Sequence, residues 1–322
     1  MSALTPPLGR PLTEPTEHFR DLAVLRSAVQ LRDANAVAAA FEALPDEDDR
    51  ALASWTVAET PDCADFLRET AAGRPGDPLF RTLYANHLIR AGWKIRSGAR
   101  AEHVSRQQFD SFHAHLRRAE VLLIDVCAEY PAYALAWYLR VTTARGLELG
   151  RGEARRRYER LAEHHPHHYS GQSQLLQQLC PKWSGSWEEA EGFARACAEA
   201  APEGGPQGAL VAVAQLERYL EIAGDQDTRA AETYLREPAQ HTALLEAAAR
   251  SVLHPAARTD AFQYVGAHNA FAAAHSAAGR HAEAAPHFRT LGDRATEFPW
   301  GYVGADHSAT FARHRKTALA KG

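Results

Sequence analysis

The chain has 322 residues, of which 45% are hydrophobic and 24% are charged, and this composition is typical of folded proteins rather than disordered or fibrous ones. Its 36 Lys and Arg residues against 40 Asp and Glu residues leave a formal net charge of -4, which argues against nucleic acid as a partner. The best apolar run, residues 121–126, is interrupted by Asp125 and falls well short of the roughly 18 residues that cross a bilayer. We therefore expect neither nucleic-acid binding nor membrane insertion.

The first residues carry no recognisable targeting signal. Pro6, Pro7 and Pro11 interrupt this segment, and no basic stretch followed by an apolar one is present, as a secretion signal would require. We expect residues 1–15 to form a flexible lead-in and the protein to be cytoplasmic.

The cysteines fit a reducing compartment. They are far apart in the sequence and form no Cys-x-x-Cys pair, which favours buried free thiols over disulfides or a zinc knuckle. The four residues are Cys63, Cys127, Cys180 and Cys197.

Nearly every segment has helical periodicity, and no run of alternating β-branched residues predicts a strand. In residues 105–129, apolar residues recur at steps of three and four and form one stripe of a helix. Ser105 and Gln108 form a Ser-x-x-Gln capping box at its start, and Pro131 stops it. Asp77 followed by Pro78 predicts another helix start. The predicted fold class is all-α.

An internal repeat organises the middle of the chain. Segments reading Cys-Ala-Glu-Tyr-Pro, Leu-Ala-Glu-His-His-Pro and Cys-Ala-Glu-Ala-Ala-Pro end at Pro131, Pro166 and Pro202, which are 35 and 36 residues apart. Twelve residues before each proline stands a small residue that allows close helix approach, namely Ala119, Ala154 and Ala190. We expect one helical-repeat domain over residues 16–322, with its clearest repeats at about residues 100–202 and 265–300.

These repeats resemble the tetratricopeptide repeat. Units of that family have a Gly before an acidic-Ala pair, an aromatic residue four positions after that Ala, and a closing Pro. The matching residues are Ala154, Tyr158 and Pro166 in one unit and Gly279, Ala284 and Phe288 in another. The resemblance implies an α-solenoid, a stacked array of helical hairpins, whose terminal helices cap the array.

A second resemblance lies around Lys182-Trp183-Ser184-Gly185-Ser186. This segment, with the flanking residues 166–169 and 193–195, is similar to a bacterial domain family of unknown function that carries a Lys-Trp-Gly-Gly-Ser type motif inside a tetratricopeptide-like array. Ser184 replaces the first glycine of that motif. The resemblance implies a helical-repeat fold and a bacterial source, and it supplies no activity.

The tetratricopeptide register predicts which side chains line a concave groove. It places Lys182 and Asn269 where they suit a carboxylate, and Arg140 where it offers a forked donor. Trp183 is an aromatic anchor of the kind found at interface hot spots, with core packing as the alternative. The complete predicted set is Arg140, Thr143, Gln172, Lys182, Trp183 and Asn269.

A histidine-rich turn supports an alternative hypothesis. His164, His165, His167 and His168 flank Pro166 and offer imidazoles to zinc, nickel or copper. Their spacing matches none of the usual zinc patterns, so a turn that caps the preceding helix is the rival interpretation. No nucleophile elbow or phosphate-binding loop is present, and no cofactor is expected.

The sequence thus predicts a non-enzymatic, tetratricopeptide-like scaffold that binds a peptide or partner protein in its groove. The alternative is an enzyme or metal-dependent accessory protein that uses the histidine-rich turn, and a self-assembling subunit is a third possibility. The oligomeric state is not predicted.

Overall fold

A computed structural model of the chain describes residues 8–97, 104–224 and 227–322. Within these ranges the secondary structure is helical, and the sole β feature is an isolated bridge between Leu12 and Arg294. The predicted all-α class is confirmed. None of the helices in these ranges combines the length and apolar character that crossing a bilayer requires.

The chain divides into two compact units, where the sequence predicted a single domain over residues 16–322. The N-terminal unit comprises residues 19–186, and the C-terminal unit comprises residues 187–322 together with the start of the chain up to His18. The boundary at Ser186 falls between the two helices of the predicted repeat that contains Ala190.

The helices of the N-terminal unit are α2 (Arg20–Gln30), α3 (Ala34–Glu42), α4 (Glu47–Glu59), α5 (Ala64–Gly73), α6 (Pro78–Arg96), α7 (Arg106–Glu129), α8 (Ala134–Gly146), α9 (Gly150–Ala162) and α10 (Tyr169–Leu179). A single 3-10 turn, Pro181–Trp183, follows α10.

The C-terminal unit contains α1 (Pro15–His18), α11 (Trp187–Ala200), α12 (Ala209–Gly224), α13 (Thr228–Arg236), α14 (Pro238–Arg250), α15 (Phe262–Ala277), α16 (His281–Leu291), α17 (Glu297–Val303) and α18 (His307–Lys321).

Local capping signals set several helix starts. The Ser105 hydroxyl accepts the Gln108 backbone N–H, and the Gln108 side chain returns to the Ser105 backbone, which is the predicted capping box of α7. The Asp77 carboxylate accepts the Leu79 N–H at 2.9 Å, one residue after Pro78 occupies the first helical position of α6. Both predicted helix starts are confirmed.

Small residues of the repeat are fully buried in both units. Ala119, Ala154, Ala190 and Ala284 each have 0% exposure. In the N-terminal unit α6 packs along α7 and α8 packs along α9, while α10 contacts both α8 and α9. A methyl group at such a position lets neighbouring helix backbones approach closely without leaving a void. All four cysteines are buried and none forms a disulfide, as the sequence predicted.

The C-terminal unit holds part of the chain start in place. Leu12 N–H donates to Asp293 O at 2.7 Å, and the buried Arg315 guanidinium donates to Gly9 O at 2.7 Å and to Asp293 Oδ1 at 2.5 Å. Gly9 and Leu12, part of the expected flexible lead-in, are therefore hydrogen-bonded to residues near the end of the chain. Residues 1–7 of that lead-in lie outside the described residues.

Candidate functional site

The Lys182-Trp183-Ser184-Gly185-Ser186 segment forms a tight turn after α10. Trp183 N–H and Gly185 N–H both donate to Cys180 O, at 2.9 and 3.2 Å. Ser184 adopts the left-handed conformation with φ of 74°, the position where a glycine carries no steric cost. A Cβ on Gly185 would overlap the Leu179 carbonyl oxygen, so this position requires glycine. The motif therefore builds a turn with a defined shape.

This turn presents Trp183 to a second tryptophan. Trp183 meets Trp93 of α6 edge to face, with ring centroids 6.1 Å apart and an interplanar angle of 87°. Trp93 in turn packs on Phe112 of α7 at 4.8 Å. Both tryptophans are half-buried, which leaves part of each ring at the surface of the N-terminal unit. Gln178 Nε2 donates to Trp183 O at 2.7 Å and fixes the turn against α10.

Two guanidinium groups flank the tryptophan pair. The Cζ atom of Arg96 lies 5.6 Å from the Trp93 ring centroid and 5.9 Å from that of Trp183. The Cζ atom of Arg145 lies 5.7 and 5.6 Å from the same two centroids. Contacts of this kind contribute about 0.5 to 2 kcal/mol each, depending on how far the cation is desolvated. We call Trp93, Arg96, Arg145 and Trp183 the Trp–Arg cluster.

The cluster contains two cationic side chains, and a third, Lys182, lies on the turn that carries Trp183. Burial lowers the pKa of Arg96 from its ordinary value, against an opposing effect of the Glu148 carboxylate, and the group stays cationic at any physiological pH. Lys182, on the same turn as Trp183, is exposed. Of the predicted residues, Trp183 therefore belongs to the cluster, and the exposed Lys182 precedes it directly on the same turn.

The sequence did not predict Trp93, Arg96 or Arg145 as site residues. Arg145 comes two residues after the predicted Thr143, which rotates it by about 200° around α8 to the opposite side of that helix. There Arg145 Nη1 donates to Gln174 O of α10 at 3.2 Å. Only the packing of α6, α8 and the α10 turn brings these side chains together, so no local signal identifies them.

Arg140 and Thr143, predicted to face a ligand, point into the protein. Arg140 is 9% exposed, and its Nε and Nη2 donate to Glu120 Oε1 at 3.0 and 2.9 Å. Thr143 Oγ1 donates to Glu120 Oε2 at 2.5 Å. The register predicted that these two residues line a groove. They instead donate hydrogen bonds to Glu120, because a buried carboxylate requires donors.

A second arginine completes this buried network. Arg157 of α9 is 4% exposed and donates to Glu120 Oε2 at 3.0 Å and to Arg140 O at 2.8 Å. It also pairs with Glu153 at 2.6 Å, and Glu153 pairs with Arg156. These hydrogen bonds, that of Arg156 first, lower the pKa of Glu153 to about 2. The network ties α7, α8 and α9 together.

Gln172 and Asn269 are also buried. Gln172 is 2% exposed and donates to Pro166 O at 3.1 Å, while its Oε1 has no hydrogen-bond partner among the described residues. Asn269 has 0% exposure and lies in the C-terminal unit, where its amide donates to Val265 O at 2.8 Å and accepts Trp300 Nε1–H at 2.6 Å. The sequence predicted that Asn269 faces a ligand carboxylate. It instead lies in the core, where it accepts the Trp300 indole N–H.

The histidine-rich turn lines a cavity of about 410 Å³ in the N-terminal unit. Asp48 accepts the Tyr169 and Ser170 N–H groups at 2.8 and 2.7 Å, and His168 Nδ1 accepts the Gly171 N–H at 3.0 Å. These groups cap the start of α10, whereas the sequence predicted that the histidines cap the helix before the turn. The lining residues are Pro45, Asp46, Glu47, Asp48, Arg50, His164, His165, Pro166, His167 and His168.

A metal centre in this cavity requires side chains that are arranged as metal ligands. Across the part of the chain that the structure describes, no three His, Cys, Asp or Glu side chains are arranged to hold a metal ion. The acidic residues have other partners, since Asp46 caps α4 through the Asp49 N–H at 2.8 Å and Glu47 pairs with Arg50 at 2.6 Å. The metal hypothesis for His164, His165, His167 and His168 therefore gains no support from the geometry.

No protein-family model matches the chain, and no curated protein matches it significantly. The functional argument accordingly depends on the Trp–Arg cluster and its surroundings.

Proposed function

We propose that the protein is a non-enzymatic, cytoplasmic, tetratricopeptide-like scaffold that binds an acidic segment of a partner protein at the Trp–Arg cluster and Lys182. The observation that carries this proposal is a pair of half-buried tryptophans, Trp93 on α6 and Trp183 on the turn after α10, flanked by the guanidinium groups of Arg96 and Arg145. Trp and Arg are the residue types most enriched at the energetic centres of protein interfaces.

The charge of the surface argues for an acidic partner. Arg96 and Arg145 border the two rings. The exposed Lys182 adds a third positive charge on the turn that carries Trp183. A carboxylate that approaches Arg96 or Arg145 gains charge-assisted hydrogen bonds in a partly desolvated setting, where they are stronger than in bulk water. Apolar side chains of the same partner then pack on the exposed parts of the indole rings.

The chemistry of the cluster argues for binding rather than catalysis. Indole rings and guanidinium groups do not act as nucleophiles, and they do not change protonation state near neutral pH. They do recognise flat surfaces and carboxylates, which is the property of a binding site.

The repeat supports the scaffold part of the proposal. The small residues predicted to allow close helix approach, Ala119, Ala154, Ala190 and Ala284, all have 0% exposure. Stacked helical hairpins create extended binding surfaces as a consequence of burying their apolar sides on one another. The similarity of residues 182–186 to the Lys-Trp-Gly-Gly-Ser family belongs to the same proposal, and with it a bacterial source.

The test is a fluorescence-anisotropy titration with two labelled peptides. One is a short peptide of Glu, Asp and Leu, and the other replaces each acid with its amide. We expect the full-length protein to bind the acidic peptide more tightly. The double substitution Arg96→Gln/Arg145→Gln should lower this affinity by about tenfold, or about 1.4 kcal/mol, and Lys182→Gln should lower it by a few-fold.

A matched control is Arg155→Gln. Arg155 is an exposed arginine on α9 of the same unit, outside the Trp–Arg cluster, so its replacement removes one positive charge, as Lys182→Gln does, and should leave the affinity unchanged. Equal binding of the two peptides by the wild type, or equal losses in Arg155→Gln and in the cluster variants, would overturn the proposal. Thermal melting of each variant separates lost binding from lost folding.

A further inference from the structure

Three histidines pack together in the core of the C-terminal unit. His268 and His275 lie on α15, two turns apart, and His287 lies on α16. Their exposures are 2%, 1% and 1%. His268 Nδ1 and His287 Nδ1 are 3.0 Å apart, and the His287 ring stacks on His275 at 5.8 Å and on Phe271 at 5.1 Å. We call these three residues the histidine core.

The hydrogen bond between His268 and His287 restricts their protonation. It needs one Nδ1 that donates and one that accepts, so the two rings cannot both be protonated while it persists. Three other ring nitrogens have no hydrogen-bond partner within the described residues, namely His268 Nε2, His287 Nε2 and His275 Nδ1. A positive charge on any of these rings would be buried without solvation.

The surrounding groups do little to compensate such a charge. Arg294 opposes protonation of His268, and Arg280 and His241 oppose that of His275. Glu283 favours protonation of His275, and its Oε1 lies 3.4 Å from His241 Nε2. Within the described residues no carboxylate hydrogen-bonds to the three rings.

These surroundings depress the basicity of all three rings. Burial is the largest cause, and it lowers the pKa of His268 and of His275 to about 4. Burial, together with the neighbouring His268 and His275, lowers the pKa of His287 well below its usual range. In an unfolded or opened segment each imidazole returns to a pKa of about 6.5.

We propose that the histidine core is an acid-sensitive switch, in which neutral imidazoles hold α15 against α16 and protonation in mild acid separates the two helices. The opened state binds more protons than the closed state between pH 6.5 and about 4. Opening therefore becomes more favourable as pH falls through this window. The proposal concerns the C-terminal unit and is independent of the Trp–Arg cluster.

Hydrogen exchange of the full-length protein tests the switch. The opening equilibrium of α15 and α16 is measured between pH 7 and pH 5, with correction for the intrinsic exchange rate. Each proton taken up on opening raises the opening constant by up to about tenfold per pH unit, so three histidines raise it by up to about 1000-fold per pH unit. The variant His268→Leu/His287→Leu removes both partners of the hydrogen bond together, and its opening constant should rise by only about tenfold per pH unit.

The matched control is His164→Gln/His167→Gln, which removes two exposed histidines from the other unit and should behave as the wild type. The same pH dependence in the wild type and in the core double variant would overturn the switch. If that variant fails to fold, nuclear magnetic resonance of the wild-type imidazoles decides the question. Three neutral rings in the closed state at pH 5.5 support the switch, and a charged ring in the intact helix pair refutes it.

Discussion

Arg140 and Glu120 form a buried ion pair between α8 and α7, with Nη2 and Oε1 2.9 Å apart and both side chains 11% exposed. The Glu120 carboxylate also accepts from Thr143 and from Arg157. Four polar side chains thus satisfy one another in the interior, and the free energy of folding depends on their all being present.

The first prediction contrasts Arg140→Ala with Lys182→Ala. Removing Arg140 leaves the Glu120 carboxylate with fewer buried donors, and we expect the free energy of unfolding of the N-terminal unit to fall by about 2 to 4 kcal/mol. Lys182 is exposed, so Lys182→Ala should change that free energy by less than about 0.5 kcal/mol. Urea denaturation of both variants measures the difference.

The exposed Arg160, which pairs with Glu163 at 3.0 Å, offers the control for losing a surface ion pair. Arg160→Ala should cost under about 1 kcal/mol. A similar small cost for Arg140→Ala would contradict the structural role that we assign to the buried network.

Local signals explain which parts of the fold the sequence predicts. A cap such as Ser105 or Asp77 depends on residues three positions away at most, so the helix starts follow from the sequence. The buried role of Arg140 depends on Glu120, which belongs to another helix, and no spacing rule relates them. The register places Arg140 on a groove because it considers each repeat position alone. In the structure the guanidinium group is buried against the Glu120 carboxylate, because a buried carboxylate without hydrogen-bond donors is costly.

The candidate site shows the same limit. The repeat register predicts Lys182 as a groove residue, and Trp183 follows it directly as an aromatic anchor. Arg145 was missed because it faces the other side of α8 from Thr143, and Trp93 because its partner Trp183 comes from a distant turn. Contacts between distant segments are set by packing, which a single sequence does not display.

The second prediction concerns the turn between α10 and α11. Ser184 has a φ of 74°, where a side chain is strained, and Ser184→Gly should raise the free energy of unfolding by about 0.5 to 1 kcal/mol. Gly185→Ala should lower it by more than this amount, because the new methyl group overlaps the Leu179 carbonyl oxygen. Thermal melting should show a raised Tm for Ser184→Gly and a lowered Tm for Gly185→Ala.

Gly152→Ala is a suitable control for adding a methyl group, since a Cβ at Gly152 of α9 meets no atom within 4 Å. It should be neutral or slightly stabilising because alanine favours a helix over glycine. Destabilisation by Gly152→Ala as large as that by Gly185→Ala would contradict the steric argument.

The third prediction is a pH dependence of thiol reactivity. Burial raises the pKa of the Cys63 and Cys127 thiols to about 11 from an ordinary value of 9.0. The thiolate is the reactive species, so near pH 8 these thiols should react with an aromatic disulfide reagent about 100-fold more slowly in the folded protein than after unfolding. Because unfolded thiols ionise first, the free energy of unfolding should also fall as pH rises from 9 to 11.

Reaction kinetics in the presence and absence of denaturant measure this ratio, with free cysteine as the reference. Fast labelling of Cys63 or Cys127 in the folded protein at pH 8, identified by mass spectrometry, would show that these thiols are ionised or accessible.

The fourth prediction concerns the core of the C-terminal unit. Asn269 Oδ1 accepts the indole N–H of Trp300 at 2.6 Å, and Trp300 has 0% exposure and packs on Phe288 and Phe311 at 5.8 and 5.6 Å. Asn269→Leu leaves this N–H buried without an acceptor, so we expect the free energy of unfolding to fall by about 2 to 3 kcal/mol. In the Asn269→Leu variant, Trp300→Phe removes the N–H group that has lost its acceptor. The free energy of unfolding should therefore fall less on Trp300→Phe in this variant than in the wild type. A double-mutant cycle measured by urea denaturation gives the coupling energy, which should be about 1 kcal/mol or more. Additive effects of the two substitutions would mean that the hydrogen bond does not stabilise this core.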